Sequence, residues 1–386
     1  MKKLNTLMIL ALCAILLTCN FACSNKDVSG NEQNDQKEDN DQNEDRQEHL
    51  LPFTFQNPIS FSYPYFDGEQ ERQITELRDP CIMRDGDTYY LVFTHYPFTH
   101  HTSRREDAPD MNSSPGIRLY SSKDLKEWKF ENWIVKSSEL PEDSPYKHRF
   151  WAPELRKMHG KYFIIFYADN WIKDEYNEMG EMGYVGFVGV ADKPTGPYEN
   201  ITWLPGSSCD THLFTDSDGK SYAVMPFGDM FVQGVDLVGI KNNDIKLIGQ
   251  RHKIINRDNS DIGLNFSPDY MEAPWMIKKG DKYVLFSGSP YKAEQEPIDN
   301  KTGLTTGYWV GMATSDNIAG PYTKQPQIFL GGHISVFIGP DGKEWFSYRG
   351  ESFDEAHGKL CIDPIPFSSD GSLKPFPPSK GEVVID

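Results

Sequence analysis

The chain has 386 residues and a formal net charge of -18 at pH 7, with 13% aromatic residues, 31 Gly and 26 Pro. That length can bury a substantial core, as one large domain or two or three small ones, and the Gly and Pro content suits a turn-rich β fold. Phosphate backbones need clustered Lys and Arg, so the acidic balance and the lack of a basic stripe exclude nucleic acid as a partner.

The first residues read as a processing signal. Lys2 and Lys3 precede an apolar run, LMILALCAILL, whose 11 residues are too few to span a bilayer and suit a secretory signal. FACSN then resembles a bacterial lipoprotein cleavage site. Ala22 precedes Cys23 and Ser24 follows it, so Cys23 is the expected lipidation site; Cys19 in LLTC is the second choice, and a plain cleaved signal peptide is the alternative. Three units follow: a signal peptide over 1–23, an acidic tether over 24–50 and a folded body over 51–386. The tether holds nine Asp or Glu against three Lys or Arg and almost nothing apolar, so it cannot bury enough surface to fold. An acidic stretch behind a lipidated cysteine resembles the export tag of surface lipoproteins. It implies an outer-membrane lipid anchor, with the body at the cell surface or on the periplasmic face. Cys81, Cys209 and Cys361 remain in the body. Their odd number implies no full disulfide framework and their spacing fits no zinc site, so they read as small, mostly buried residues.

Within the body, five stretches join a Gly turn to an aromatic-rich strand: RDGDTYYLVFTH (Gly86), MHGKYFIIFYAD (Gly160), SDGKSYAVMPF (Gly219), KGDKYVLFSGS (Gly280) and PDGKEWFSYRG (Gly342). These glycines are 74, 59, 61 and 62 residues apart. Several short strands per period of this length indicate blades of a β-propeller, and five units predict an all-β, five-bladed propeller with a central funnel. GIRLYSSKDLKEWKF, VGFVGVADKPTGPYEN and GYWVGMATSDNIAGPYTK read as outer hairpins of three blades, with GPY repeated in two of them. A two-domain β-sandwich is the alternative, though sandwiches do not repeat at this period.

An acid precedes the inner hairpin in three units: Asp79 in ELRDPCIMRDG, Asp210 in SSCDTHLFTDSDG and Glu272 in DYMEAPWMIKKG. Equivalent positions in a propeller are equivalent in space, so the three acids are expected at one end of the central channel. Trp151 in RFWAPELRKMHG and His333 in GGHISVFIGPDG hold the corresponding places in the other two units. Glu272, between Met271 and Trp275, is expected to keep its proton; Asp79, beside Arg78, is expected to ionise and serve as base, with Asp210 tuning Glu272. Two carboxyl groups with separated proton affinities are the machinery of glycoside hydrolysis. Each acid also has a structural reading, as a turn Asp or a carboxylate paired in the core.

On these five blade starts, over about residues 75–350, the chain resembles glycoside hydrolase family 43. The resemblance implies a five-bladed propeller that hydrolyses glycosides with inversion, with Asp79 as general base, Asp210 as modulator and Glu272 as general acid. It also implies an axial His333 near a water cluster or cation, and Arg349 in SYRGE meeting the sugar. The chain departs from the family pattern with Glu-Ala-Pro in place of Glu-Gly-Pro and with DTHLF in place of Asp-Pro. Trp151, Trp275, Phe98 and Tyr291 are candidates to stack on sugar faces. The loop HYPFTHHTSRREDAPDMNSSPG, with His95, His100 and His101, is expected to be a solvated loop walling the pocket. No cofactor is required; a structural Ca2+ near the axis at His333 is kept open, although no loop of oxygen ligands is evident, and a metal on the three loop histidines is the alternative to a solvated loop.

The expected activity is exo-acting, inverting removal of terminal α-L-arabinofuranosyl or β-D-xylosyl units from oligosaccharides derived from plant polysaccharides, by a monomer. The end of the chain at Asp386, with no further β-sandwich, points to small oligosaccharides or side chains as substrates. The alternatives are a propeller glycosidase acting on galactosides or anhydro-sugars, and a catalytically dead sugar-binding lipoprotein.

Overall fold

The computed structural model describes residues 51–98, 114–169, 185–242, 244–263, 267–268, 270–291, 307–351 and 356–386. The signal peptide, Cys23, the tether, His100, His101 and the Tyr291 side chain lie outside what it describes.

Each repeat folds into an antiparallel sheet. Near the N-terminus lie β1 (Phe53–Gln56) and the hairpin of β2 (Tyr63–Phe66) and β3 (Glu71–Ile74). Blade one follows, with β4 (Arg78–Asp85), β5 (Thr88–Thr94), β6 (Gly116–Ser122) and β7 (Lys129–Lys136). Blade two holds β8 (His148–Met158), β9 (Lys161–Asp169), β10 (Val185–Ala191) and β11 (Glu199–Trp203). Blade three holds β12 (His212–Thr215), β13 (Ser221–Phe227), β14 (Asp229–Asp236) and β15 (Lys246–Ile255). Blade four holds β16 (Glu272–Lys279), β17 (Lys282–Tyr291), β18 (Gly307–Ser315) and β19 (Thr323–Leu330). Blade five has three strands, β20 (Gly332–Ile338), β21 (Glu344–Arg349) and β22 (Leu360–Pro364), and β23 (Glu382–Ile385) ends the chain.

The turn glycines make the inner hairpins. Gly86, Gly160, Gly219, Gly280 and Gly342 all adopt φ between 58° and 80°, with open space where a Cβ would stand. Backbone conformation selects glycine there, not lack of room. The two GPY copies sit between the third and fourth strands of blades two and four, where Tyr198 and Tyr322 donate to the carbonyls of Pro194 and Ile318.

The innermost strands touch in order: β4 on β8, β8 on β12, β12 on β16, β16 on β20, and β20 back on β4. The ring is therefore closed, and aromatic packing fills the wedges between blades, as in the edge-to-face pair of Phe286 and Phe346 at 5.0 Å. Both chain ends of the body secure the closure. Ile59 and Asn57 hydrogen-bond along β22 (Ile59 N to Leu360 O, 2.8 Å; Asn57 Nδ2 to Ile362 O, 2.8 Å), and β1 pairs with β23.

One irregularity recurs at the start of the innermost strands and positions the functional side chains. The ladder slips between Arg78 and Cys81, Trp151 and Glu154, Glu272 and Trp275, and Gly332 and Ser335. Inside each slip lies a left-handed residue that is not glycine: Asp79, Ala152, Ala273 and His333, with Asp210 in the same conformation just before β12. Their φ values run from 43° to 57°. Such a conformation costs on the order of 1–3 kcal/mol per residue, and bulges of this kind re-aim side chains beside active sites.

Candidate active site

Aligned on the left-handed residue, the five blades present successive rings of side chains. The ring at that residue is Asp79, Ala152, Asp210, Ala273 and His333. The ring one residue earlier is Arg78, Trp151, Cys209, Glu272 and Gly332, and the ring two residues later is Cys81, Glu154, His212, Trp275 and Ser335. The first two rings open onto a cavity of about 740 Å³ that collects Arg78, Asp79, Trp151, Cys209, Asp210, Glu272 and His333. Arg349, Tyr308, Tyr270, Met271, Phe227, Arg149 and Arg257 complete its walls. The three acids thus converge as expected, with one correction. Glu272 stands one residue earlier in the repeat than Asp79 and Asp210, at the place Trp151 holds in blade two.

His333 organises the charge. Its Nδ1 lies 3.1 Å from Asp79 Oδ1 and 4.0 Å from Asp210 Oδ2. Burial opposes its charge, but Asp79, Asp210 and Glu272 outweigh burial and lift its pKa to about 10, so the ring is an imidazolium at neutral pH. Burial pushes Asp79 up in turn. The His333 charge, hydrogen bonds from His333 and Thr94, and the Arg78 charge overcome that and hold Asp79 at about 2. Thr94 is itself oriented, because its Oγ1 accepts the Ala152 N–H at 2.7 Å and its proton then points to Asp79 Oδ2.

Glu272 is set the other way. Desolvation comes first and the Asp210 charge second; together they raise its pKa to about 8, against the smaller pull of His333 and Arg349. Asp210 is also raised by burial, and it is tied to the acid's strand through the Ala273 N–H, 3.3 Å from its Oδ2. The cavity therefore holds an ionised carboxylate on Asp79 and a protonated one on Glu272 at neutral pH, with a fixed cation beside the first.

Three sequence expectations need correction. Trp275 is 3% exposed and lies in the ring below the cavity, packed on His212 at 4.7 Å and on the Arg156 guanidinium at 4.6 Å, so it has no face open to a sugar. Phe98 does not line the cavity; it stacks on Arg78 at 5.1 Å and holds that side chain. Among the described residues no cluster of three His, Cys, Asp or Glu could hold a metal ion. His95 is not in a solvated loop. It is 1% exposed, lies 4.5 Å from the Tyr63 ring, and burial depresses its pKa to about 3.

Trp151 and Arg349 do line the cavity. Arg349 pairs with Glu351 and covers the Tyr308 ring at 5.3 Å. Several functional neighbours escaped the sequence reading. Thr94 ends the first hairpin with nothing to mark it. Cys81 and Cys361 are buried, but Cys209 lines the cavity with its Sγ 3.1 Å from Asp210 Oδ1. Beneath the cavity, His212 Nε2 accepts the Met276 N–H at 3.1 Å, which leaves its Nδ1 proton to donate to Glu154 at 2.8 Å. This buried pair braces β16, the strand that carries Glu272. The Ala-Pro shared by FWAPE and MEAPW was a usable signal: aligned on it, Trp151 matches Glu272, and Glu154 matches Trp275.

The sequence profile of glycosyl hydrolases family 43 matches residues 74–373. A xylosidase/arabinosidase of Humicola insolens is 24% identical over 287 residues, covering 69% of this chain and 46% of that protein. A non-reducing end alpha-L-arabinofuranosidase of Bacteroides ovatus is 27% identical over 245 residues, covering 62% of this chain and 36% of the other. The chain thus spans less than half the length of these curated relatives. Among solved structures, a family-43 protein from Bacillus licheniformis superposes with a TM-score of 0.59 at 20% identity, over 86% of this chain and 58% of that one. A thermostable family-43 glycoside hydrolase superposes with a TM-score of 0.58 at 21% identity, over 85% and 97%. These likenesses place the fold among the propellers of that family.

Proposed function

We propose, from the fact that this chain belongs to glycosyl hydrolases family 43 and from the carboxyl groups its cavity gathers, that it is an exo-acting, inverting glycosidase. The expected substrates carry terminal α-L-arabinofuranosyl or β-D-xylosyl units, the specificities that the names of the similar proteins combine. The observation that carries the reading is the opposed setting of two acids in one cavity, Asp79 held at about 2 and Glu272 at about 8. That split supplies a base and an acid at the same pH.

In this reaction Glu272 gives its proton to the leaving oxygen as the glycosidic bond breaks. Water attacks the anomeric carbon from the opposite face and passes a proton to Asp79, so one displacement inverts the configuration. His333 keeps Asp79 ionised until that transfer. Asp210 keeps Glu272 protonated and, through the Ala273 N–H, holds its strand in place. Trp151 offers a ring at the cavity wall for the sugar face.

The protein acts as a monomeric outer-membrane lipoprotein anchored through Cys23, a reading supported by the apolar run and FACSN. The test of the activity is a panel of aryl glycosides (arabinofuranoside, xyloside, galactoside) with the first product anomer read by NMR. Hydrolysis of a pentoside with inversion is expected. Retention, or cleavage of the galactoside alone, refutes the reading.

A further inference from the structure

Among the described residues four arginines line the cavity, Arg78, Arg149, Arg257 and Arg349, and the second and fourth have a carboxylate supplied by the protein. Arg149 pairs with Asp169, and Arg349 with Glu351. Arg78 is different. It lines the cavity, yet its guanidinium makes no hydrogen bond or ion pair with any described residue. Its contacts are aromatic: the Phe98 ring at 5.1 Å and the Trp151 ring at 5.5 Å. Stacking on rings favours a guanidinium and covers its faces, leaving the edge with its N–H donors free.

The repeat puts Arg78 at a telling position. It is the blade-one counterpart of Trp151 and Glu272, one residue before the left-handed residue of its bulge. Those two counterparts also line the cavity. The same bulge that sends Asp79 to His333 therefore sends the side chain before it toward the substrate.

A neutral sugar presents hydroxyl groups, which bind a guanidinium singly and weakly compared with a carboxylate taken by two parallel N–H donors. In a protein of net charge -18, a guanidinium inside the cavity that acts on Asp79 only at a distance, with no hydrogen bond or ion pair to a described residue, is a local feature set against the general field. We propose that Arg78 receives a carboxylate of the substrate, so that the sugar next to the released pentose is a uronic acid. The proposal rests on the glycosidase reading and deepens it. The terminal pentose has no carboxyl group, so the charge belongs to the leaving part of the substrate. Phe98 and Trp151 are then positioning residues for Arg78, beside any role of Trp151 toward the sugar.

The test uses three matched substrates: a pentosyl uronic acid disaccharide, its neutral methyl ester and a sulfated analogue of the neutral disaccharide. Wild type is expected to show kcat/KM on the acid at least about tenfold above that on the ester, carried mainly by KM. In Arg78→Met the ratio should fall to about one, and in Arg78→Lys to a value between, since the ammonium keeps charge without the fork. Because Arg78 also acts on Asp79, the ratio between substrates is the readout, not the rate on either. Equal wild-type rates on acid and ester overturn the proposal and leave the glycosidase reading standing; so does a ratio that Arg78→Met does not change. Preference for the sulfated analogue over the acid overturns the carboxylate assignment. Should wild type cleave none of the three, calorimetric titration still decides: acid bound no tighter than ester overturns the proposal. The wild-type comparisons hold whether or not the variants fold.

Discussion

Replacing His333 with Gln tests the charge pattern at the axis, because the imidazolium is the hub of every interaction there. His333 is raised from 6.5 to about 10, and Asp79 is lowered from 3.8 to about 2. A base raised in the fold adds stability that is complete below pH 6.5 and disappears as pH rises through about 10. An acid lowered in the fold adds stability that is complete above pH 3.8 and disappears as pH falls through about 2. Both are in force between pH 3.8 and 6.5. At 1.36 kcal/mol for each tenfold change in proton affinity, the His333 end amounts to about 5 kcal/mol at pH 5 and about 2 kcal/mol at pH 8.5, and the Asp79 end to about 2 kcal/mol. The two ends differ because Asp210 and Glu272 also favour the charge on His333, whereas burial works against the charge of both groups. We therefore expect His333→Gln to lose about 2–5 kcal/mol at pH 5, the span between the two ends, which overlaps the about 3–5 kcal/mol of breaking a buried pair. Urea unfolding of both proteins from pH 5 to pH 9 measures the gap, which should at least halve by pH 9. The acid limb of kcat/KM should rise by at least about two pH units, because burial, which pushes Asp79 up, is then opposed only by Thr94 and Arg78. A gap that stays flat or widens with pH means that His333 is neutral in the fold, and the assignment of the charges fails with it.

Glu272→Gln should lower kcat on substrates with poor leaving groups by about 10²–10⁴, change little on a dinitrophenyl glycoside that needs no acid, and erase the basic limb expected near pH 8. Asp210→Asn removes an anion that raises Glu272, so the basic limb should move to lower pH; a limb that stays or moves up refutes the coupling. Trp275→Ala should cost about 3–5 kcal/mol in chemical denaturation with KM unchanged, because the ring is core; a selective rise in KM would return it to the sugar site. Cys23→Ser should shift the protein from the membrane fraction to the soluble fraction and abolish labelling by a radioactive fatty acid.

Much of the fold was legible in the sequence because each blade is a local unit. A Gly turn needs a left-handed residue, the strands beside it need aromatic and β-branched side chains, and both signals recur near every 60 residues. The gaps from each acid to its turn glycine were less orderly: Asp79 lies 7 residues before Gly86, Asp210 9 before Gly219, and Glu272 8 before Gly280. Bulges account for part of this, since Asp79 lies within one and Glu272 stands at the edge of another. A bulge leaves no compositional mark when its left-handed residue is Ala, Asp or His rather than Gly.

The two tryptophans show where sequence reading stops. Trp151 precedes Ala-Pro and Trp275 follows it, so the strand carries one ring into the cavity and the other into the layer below. By itself the sequence determined the repeat, the five hairpins and the presence of three acids at their starts, since these depend on neighbours along the chain. Only the tertiary structure decided which acid keeps its proton. That choice depends on His333 meeting Asp79 and Asp210 from three different blades, and on how much water each carboxyl group loses when the ring closes.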